Sequence, residues 1–316
     1  MAQRTILVAS ATANTGSKVV QQLSALGGAV SVRALARNPD SDAARALGQL
    51  PHVTLVRGDF NDHASIKAAL QGVQRAYLVS GNGEDAQYDR EVGFIQAAEE
   101  AGVELVVRVS TASCLMSLDS PSIYARAHAR VEQYISQHNS KVVDLNPNWF
   151  MSNLVWQAGE AAATGKITYP FTTEHAASGP KLAMIDPRDV AGAGVVVLTA
   201  EGEQLRALLA ARRLEVHGPQ PVTFQEQLDA ISAVTGKPLA FNYMQPDAWV
   251  QMLGSVGTPP AMAEATKETV LIMSGVKQGP KPMVNETSPT LAAIWQPKYT
   301  IADWAKDNAA AFAPKA

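Results

Sequence analysis

An α/β fold on a parallel, doubly wound sheet is what the first 150 residues of this chain predict, and three observations predict it. Short runs rich in Val, Ile and Leu alternate with segments whose apolar residues recur at helical spacing. Six such runs are separated by five helices. The runs are apolar almost without interruption, as in strands covered on both faces, and strands joined through helices run parallel.

Residues 5–9 form the first strand. A small-residue turn leads into a helix over 16–26, where Val19, Val20, Leu23 and Leu26 share one face and Gly27 and Gly28 end it. Residues 30–36 read as the second strand, 42–50 as a helix and 53–57 as the third strand. Asn61 or Asp62 caps a helix that ends near Gly72, and 76–79 is the fourth strand. A helix over 87–101, closed by Gly102, leads to a fifth strand over 104–109. The loop holding Cys114 precedes a helix over 122–138, and 141–145 is the sixth strand. This is the Rossmann type of architecture.

After Pro147 the rhythm changes. Helices near 148–163, 187–199, 223–235 and 260–275 alternate with strands near 166–169, 214–217 and 239–243, and a last helix spans 300–312. The expected division is a first domain over 1–150 and a smaller, mixed α/β region over 151–316 beside the strand ends. Few segments of the second region could bury a face alone.

Composition narrows the function. With 47% hydrophobic and 17% charged residues among 316, the chain can fill a globular core. The 26 basic and 29 acidic residues give a net charge of −3 with no basic cluster, so no nucleic-acid partner is expected. Cys114 is the single cysteine, which excludes an intramolecular disulfide, and no Cys/His spacing suits a metal. The longest apolar run, residues 191–200, is far short of the roughly 20 residues that span a bilayer. The start lacks the apolar stretch of a secretory signal, so a cytoplasmic protein is expected.

Ligands of an open parallel sheet bind at the carboxyl ends of its strands, beside the helix after the first one. A dinucleotide loop there places three glycines three apart: for the tight turn, for backbone approach to the pyrophosphate, and for close helix packing. Here those positions hold Ser10, Ala13 and Gly16. The loop alone is compatible with a phosphate site built on small residues, or with a turn that kept its shape and lost its ligand. Arg37, 21 positions after Gly16, favours the first. An acidic residue there would hold the 2′-hydroxyl of NAD, whereas arginine suits the 2′-phosphate of NADP.

Residues 6–23 resemble the first strand and helix of the NmrA-like proteins, which belong to the atypical short-chain dehydrogenase/reductases. The resemblance continues through Arg37-Asn38-Pro39, Gly58-Asp59-Phe60 and Ser80-Gly81 after the second, third and fourth strands. It extends over His128 with Glu132, residues 146–153, residues 185–190 and residues 223–238, nearly the whole chain. The resemblance implies an NADP cofactor and a small-molecule substrate. Ser10, Thr12, Ala13, Asn14, Thr15 and Gly16 would line the pyrophosphate, and Arg37 would meet the 2′-phosphate. Asp59 and Phe60 would sit by the adenine, and Ser80 and Gly81 by the linking ribose. Ser10 and Ala13 replace the family's first two glycines, which leaves weak or lost cofactor binding open.

In ordinary short-chain dehydrogenases a tyrosine and a lysine four residues later share a helix face, and the lysine charge lowers the phenol pKa. This chain has Tyr124 and His128 at that spacing. Histidine can hydrogen-bond an oxygen or serve as the acid itself, so both are candidate catalytic residues; the competing reading is a packed pair beneath the Cys114 loop. Cys114 reads as core, and Asp186 as a helix cap. Asn148, Trp149, Phe150 and Asn153, with Tyr169 and Phe171, would wall a flat-substrate site; the competing reading of the aromatic residues is ordinary core. The expected function is reduction of a small apolar carbonyl, quinone-like or conjugated compound by NADP(H). The alternatives are a dinucleotide sensor without turnover, or an enzyme that uses the same cleft without the cofactor.

Overall fold

The computed structural model describes residues 3–81 and 84–313, with Glu84 described in its backbone only. Arg4–Val8 (β1), Val30–Ala36 (β2), Val53–Arg57 (β3), Arg75–Leu78 (β4), Leu105–Val109 (β5) and Val142–Pro147 (β6) are the six expected strands. They alternate with Asn14–Ser24 (α1), Asp42–Gly48 (α2), His63–Leu70 (α3), Glu84–Glu100 (α4) and Ile123–His138 (α5). Asp62 caps α3 by accepting the amides of Ala64 and Ser65.

Alternation along the strands sends side chains to two cores. Ile6 and Val8, with Leu105 and Val107, pack on one face against Val19, Val20 and Leu23 of α1. Leu7, Leu78 and Val106 pack on the other against Ile66, Phe94, Ile95, Val131 and Ile135 of α3, α4 and α5.

Beyond β6 the chain forms Ala158–Thr164 (α6), Lys166–Tyr169 (β7), Thr173–Ser178 (α7), Pro187–Thr199 (α8), Gly202–Ala211 (α9) and Arg213–Val216 (β8). Then follow Phe224–Thr235 (α10), Ala240–Tyr243 (β9), Pro246–Ser255 (α11), Pro260–Met273 (α12), Pro289–Ala292 (α13) and Ile301–Asn308 (α14). The main sheet has seven strands in the order β3-β2-β1-β4-β5-β6-β8, each neighbouring pair parallel. It is the Rossmann-type sheet, extended by one strand.

That seventh strand corrects the sequence reading. Residues 214–217 were expected in the second region, yet β8 pairs with β6, covering an edge that would otherwise be open. Val190, Ala193 and Val197 of α8 join the core that holds α1. The chain therefore returns to the sheet after residue 151, and a single cut at 150 separates only its first six strands. The helix expected over 148–163 is also different. The Asn148 amide bonds the Val216 carbonyl, Phe150 bridges to Ile185, and a 3-10 turn over Met151–Gln157 precedes α6. Strand pairing past Pro147 delays the helix.

β7 and β9 form a separate parallel pair. With α10, α11, α12 and α14 they enclose a third core around Ile167, Phe224, Trp249 and Trp304. Asp186 caps α8, and buried Asp189 accepts the Lys298 and Tyr299 amides, tying the carboxyl-terminal segment to that helix. Cys114 is buried 3.8 Å from the Met273 sulfur, and burial pushes its thiol up to about 11, consistent with a core role. Among the described residues no helix is long and apolar enough to cross a membrane.

Phe224 is the centre of the second-region core, with ring centroids 5.3 Å from Tyr169 and 4.8 Å from Phe171. Phe224→Ala is expected to cost about 3–5 kcal/mol of stability in urea denaturation, and a loss below 1 kcal/mol would contradict this packing.

Candidate active site at the carboxyl ends of the strands

The turn after β1 shows what each replaced glycine requires. Ser10 sits at φ 49°, the left-handed conformation that glycine adopts freely and that costs serine about 1 kcal/mol. Its carbonyl accepts the Ala13 amide at 2.8 Å. Ala13 lies at φ −76°, ψ 170°, extended backbone that any residue adopts, so its position does not demand glycine. Gly16 does: a Cβ there would lie 2.3 Å from the Ser10 carbonyl oxygen. No side chain caps α1 and no acid stands in its first turn. Its leading amides and positive dipole end therefore face the cleft, as a phosphate site requires.

Three adjoining cavities run from this turn along the strand ends. The first, of about 400 Å³, is lined by Ser10, Thr12, Ala13, Arg37, Asp59, Phe60, Ser80 and Gly81. Arg90 of α4 also lines it and donates to the Asn61 side chain at 3.3 Å. Arg37 is exposed and has no ion pair among the described residues. The second cavity, of about 580 Å³, is lined by Asn14, Thr15, Glu91, His128 and Trp156, and shares Ala13 and Ser80 with the first. The third, of about 250 Å³, holds Tyr124, Asn148 and Trp149, and shares Ser110, His128, Phe150, Asn153 and Trp156 with the second. Gly16 lines none of them; it seats the helix under the turn.

His128 joins a network of buried groups. Arg108 of β5 and Asp144 of β6 are register partners on the face covered by α4 and α5. Arg108 donates from Nε to Glu91 at 2.5 Å and from Nη1 to Asp144 at 2.8 Å. Its Nη2 lies 2.9 Å from His128 Nδ1. Glu91 in turn accepts the Ser80 hydroxyl at 2.7 Å, and the Gln87 amide nitrogen lies 3.1 and 3.3 Å from the two imidazole nitrogens. A guanidinium has no acceptor, so His128 Nδ1 must offer its lone pair and the ring proton sits on Nε2.

Burial, then the Arg108 charge, pull the His128 pKa down to about 4. His128 is therefore a neutral hydrogen-bond donor near pH 7. Burial, with the Arg108 guanidinium at Nδ1, works against the imidazolium that the expected acid role would need. Burial opposes the charge of Glu91, but Arg108 and the Ser80 hydrogen bond hold its carboxyl below the usual range. Tyr124 is half-buried and hydrogen-bonded to Thr266; burial raises its pKa, so the phenol keeps its proton.

Other sequence-predicted residues divide. Trp149, Phe150 and Asn153 face the third cavity. Asn148 also borders it, but its amide donates to His217 at 2.8 Å and its oxygen takes the Trp149 amide at 2.6 Å, so it shapes the loop. Tyr169 and Phe171 line none of the three cavities. They stack at 4.7 Å inside the second-region core, where Tyr169 ends β7 and Phe171 follows it. Arg90, Glu91, Arg108 and Trp156 escaped sequence reasoning. The signal for Arg108 was a cation inside an otherwise apolar strand.

The His128 environment predicts a stability profile. The unfolded ring protonates near pH 6.5 and the folded ring only near 4, so folding is undisturbed above 6.5 and weakens as pH falls toward 4. Those 2.5 pH units correspond to at most roughly 3 kcal/mol. His128→Gln should flatten the slope between pH 6.5 and 5 in denaturant titrations; an unchanged slope would contradict the neutral ring.

Known proteins resemble this chain along nearly its whole length. A reductase of (4-alkanoyl-5-oxo-2,5-dihydrofuran-3-yl)methyl phosphate from Streptomyces griseus subsp. griseus is 30% identical over 98% of this chain and 100% of its own length. An NAD(P)H azoreductase from Xenophilus azovorans is 28% identical, over 97% and 99% of the two chains. The fold is shared with an NADPH-dependent quinone oxidoreductase from Escherichia coli crystallised with NADPH, at a TM-score of 0.76 and 22% identity over 96% and 99% of the chains. The sequence model of the NmrA-like family matches residues 2–304, and this chain belongs to that family.

Proposed function

We propose that this protein is an NADP(H)-dependent oxidoreductase that reduces a small, flat carbonyl, quinone-like or conjugated compound. The observation that carries the reading is the continuity of the cleft. It leads from Arg37, which has no ion pair among the described residues, past the uncapped start of α1, to an aromatic-walled cavity at His128. The reductase activities of the relatives support it.

The residues present fit the dinucleotide. Arg37 and Arg90, which line the first cavity, can meet a 2′-phosphate, and the leading amides of α1 the pyrophosphate. Ser80, oriented by Glu91, and Gly81 supply polar groups for a ribose. When bound, the nicotinamide supplies hydride. In the third cavity, neutral His128 is a polar group beside the acceptor, its Nε2 also in contact with the Gln87 amide, and Trp149, Phe150 and Trp156 can hold a ring. Tyr124 Oη holds a proton in the same cavity throughout the neutral range, and with water it is the source of one for the reduced oxygen. A second reading, a dinucleotide-binding protein without turnover, is favoured by the absence of a cation at position 128.

Two measurements test this. Arg37→Ala should weaken NADPH about tenfold to a hundredfold, read by fluorescence titration, while NADH changes little. Equal affinity of the unaltered protein for the two cofactors would remove the 2′-phosphate contact. His128→Ala should lower NADPH oxidation by 1,4-naphthoquinone at least tenfold, with NADPH affinity kept within a few-fold. NADPH binding without oxidation by any acceptor would favour the second reading.

A further inference from the structure

The three cavities differ in charge, and the difference bears on the acceptor. We infer that the third cavity takes an uncharged ring compound and rejects anionic ones, those bearing phosphate, sulfonate or carboxylate. In this it departs from the relative named for a phosphate ester. The inference rests on the reductase reading and defines the substrate class of that same site.

Among the described residues, no Lys, Arg, Asp or Glu lines the third cavity. Its polar groups are the hydroxyls of Ser110, Thr111, Tyr124, Thr266 and Thr269, two asparagine amides and the His128 ring. Hydroxyls and amides can hold a carbonyl oxygen. A full negative charge leaving water needs a cation or several free donors. Ser110, Thr266, Thr269 and Asn148 already direct theirs to Met116, Met262, Ala265 and His217.

His128 is the one lining side chain able to become cationic, and its geometry prevents this. Nδ1 faces the Arg108 guanidinium at 2.9 Å, so a proton there would set donor against donor and cation against cation. Arg108 itself cannot serve. It is fully buried, and both carboxyls at its sides already hold it. One guanidinium against Glu91 and Asp144 sums to neutral or negative, according to whether Asp144, raised by burial, holds a proton. In neither state is the cluster positive. Glu91, already counted in that sum, borders the adjoining cavity.

The walls act in the same sense. Trp149, Phe150 and Trp156 present aromatic faces, whose quadrupoles are negative toward a ligand stacked on them. Trp156 is 74% exposed at the junction of the second and third cavities, placed to meet a flat ring entering between them. Among the described residues, positive charge without an ion pair lies at the opposite end of the cleft, with Arg37 in the first cavity. The cleft thus separates an anion-binding end from a neutral one.

The test compares 2-methyl-1,4-naphthoquinone with 1,4-naphthoquinone-2-sulfonate, the sulfonate being the more electron-poor ring. Turnover is read as kcat/KM for NADPH oxidation, and binding as quenching of tryptophan fluorescence with NADP⁺ present. The neutral quinone should be favoured at least a hundredfold in kcat/KM and at least tenfold in binding. Thr111→Lys, which places an ammonium on the lining, should raise binding of the sulfonate at least tenfold without improving the neutral quinone. Equal use of both quinones by the unaltered protein would overturn the inference and leave the reductase reading standing. If neither is reduced but the neutral one alone binds, the reductase reading fails and the charge selectivity holds. Binding of neither would overturn both.

Discussion

A guanidinium shut away from water has to be paired, and the pairing of Arg108 organises the site. Its three nitrogens reach Glu91 on α4, His128 on α5 and Asp144 on β6, so one side chain fastens two helices to two central strands. Removing either carboxyl would leave a buried guanidinium nitrogen without its acceptor, at a cost of about 1–3 kcal/mol. The same contacts set the chemistry at the surface of the cleft. Glu91 turns its second oxygen to Ser80, and His128 is left with its proton on Nε2. A lysine at 128 would set a second cation against Arg108. A neutral ring that accepts a hydrogen bond from the guanidinium is compatible with it.

From this network to the start of α1 the cleft grades from neutral to positive. At one end hydroxyls, amides and aromatic rings surround a space without formal charge. In the middle, the backbone amides of α1 supply partial positive charge that needs no side chain. At the other end stand Arg37 and Arg90. Such a gradient would orient a long anionic cofactor before any close contact forms. The loop between these parts tolerates its unusual composition because its backbone does the work. Ser10 accepts a left-handed angle, Ala13 needs none, and Gly16 alone is held to glycine by a close approach.

Most of the sheet was legible because its causes are local. Apolar runs, helical spacing, and breaks at Gly27, Gly72 and Gly102 are short-range properties, and β2 and β3 keep the expected ends. Asp62 and Asp186 cap helices because a carboxylate before a helix meets amides two residues on, whatever else surrounds it. The strand over Arg213–Val216 was legible as a strand, but its partner was not. Pairing is a contact between segments nearly 70 residues apart, and nothing local distinguishes the edge of one sheet from another.

The sequence by itself determined the alternating strands and helices, the three-residue spacing of the β1 turn, and an arginine at the end of the second strand. Each depends on residues close in the chain. Tertiary structure decided which aromatic residues face the cleft, drawing Tyr169 and Phe171 into a core beside Phe224 while leaving Trp149 and Phe150 at the cavity. It also decided the state of His128, whose spacing from Tyr124 is visible in one dimension but whose pKa is set by burial and by Arg108, 20 residues earlier. Periodicity constrains where a side chain points along its own element. Charge, desolvation and packing depend on what other elements bring to the same few ångströms.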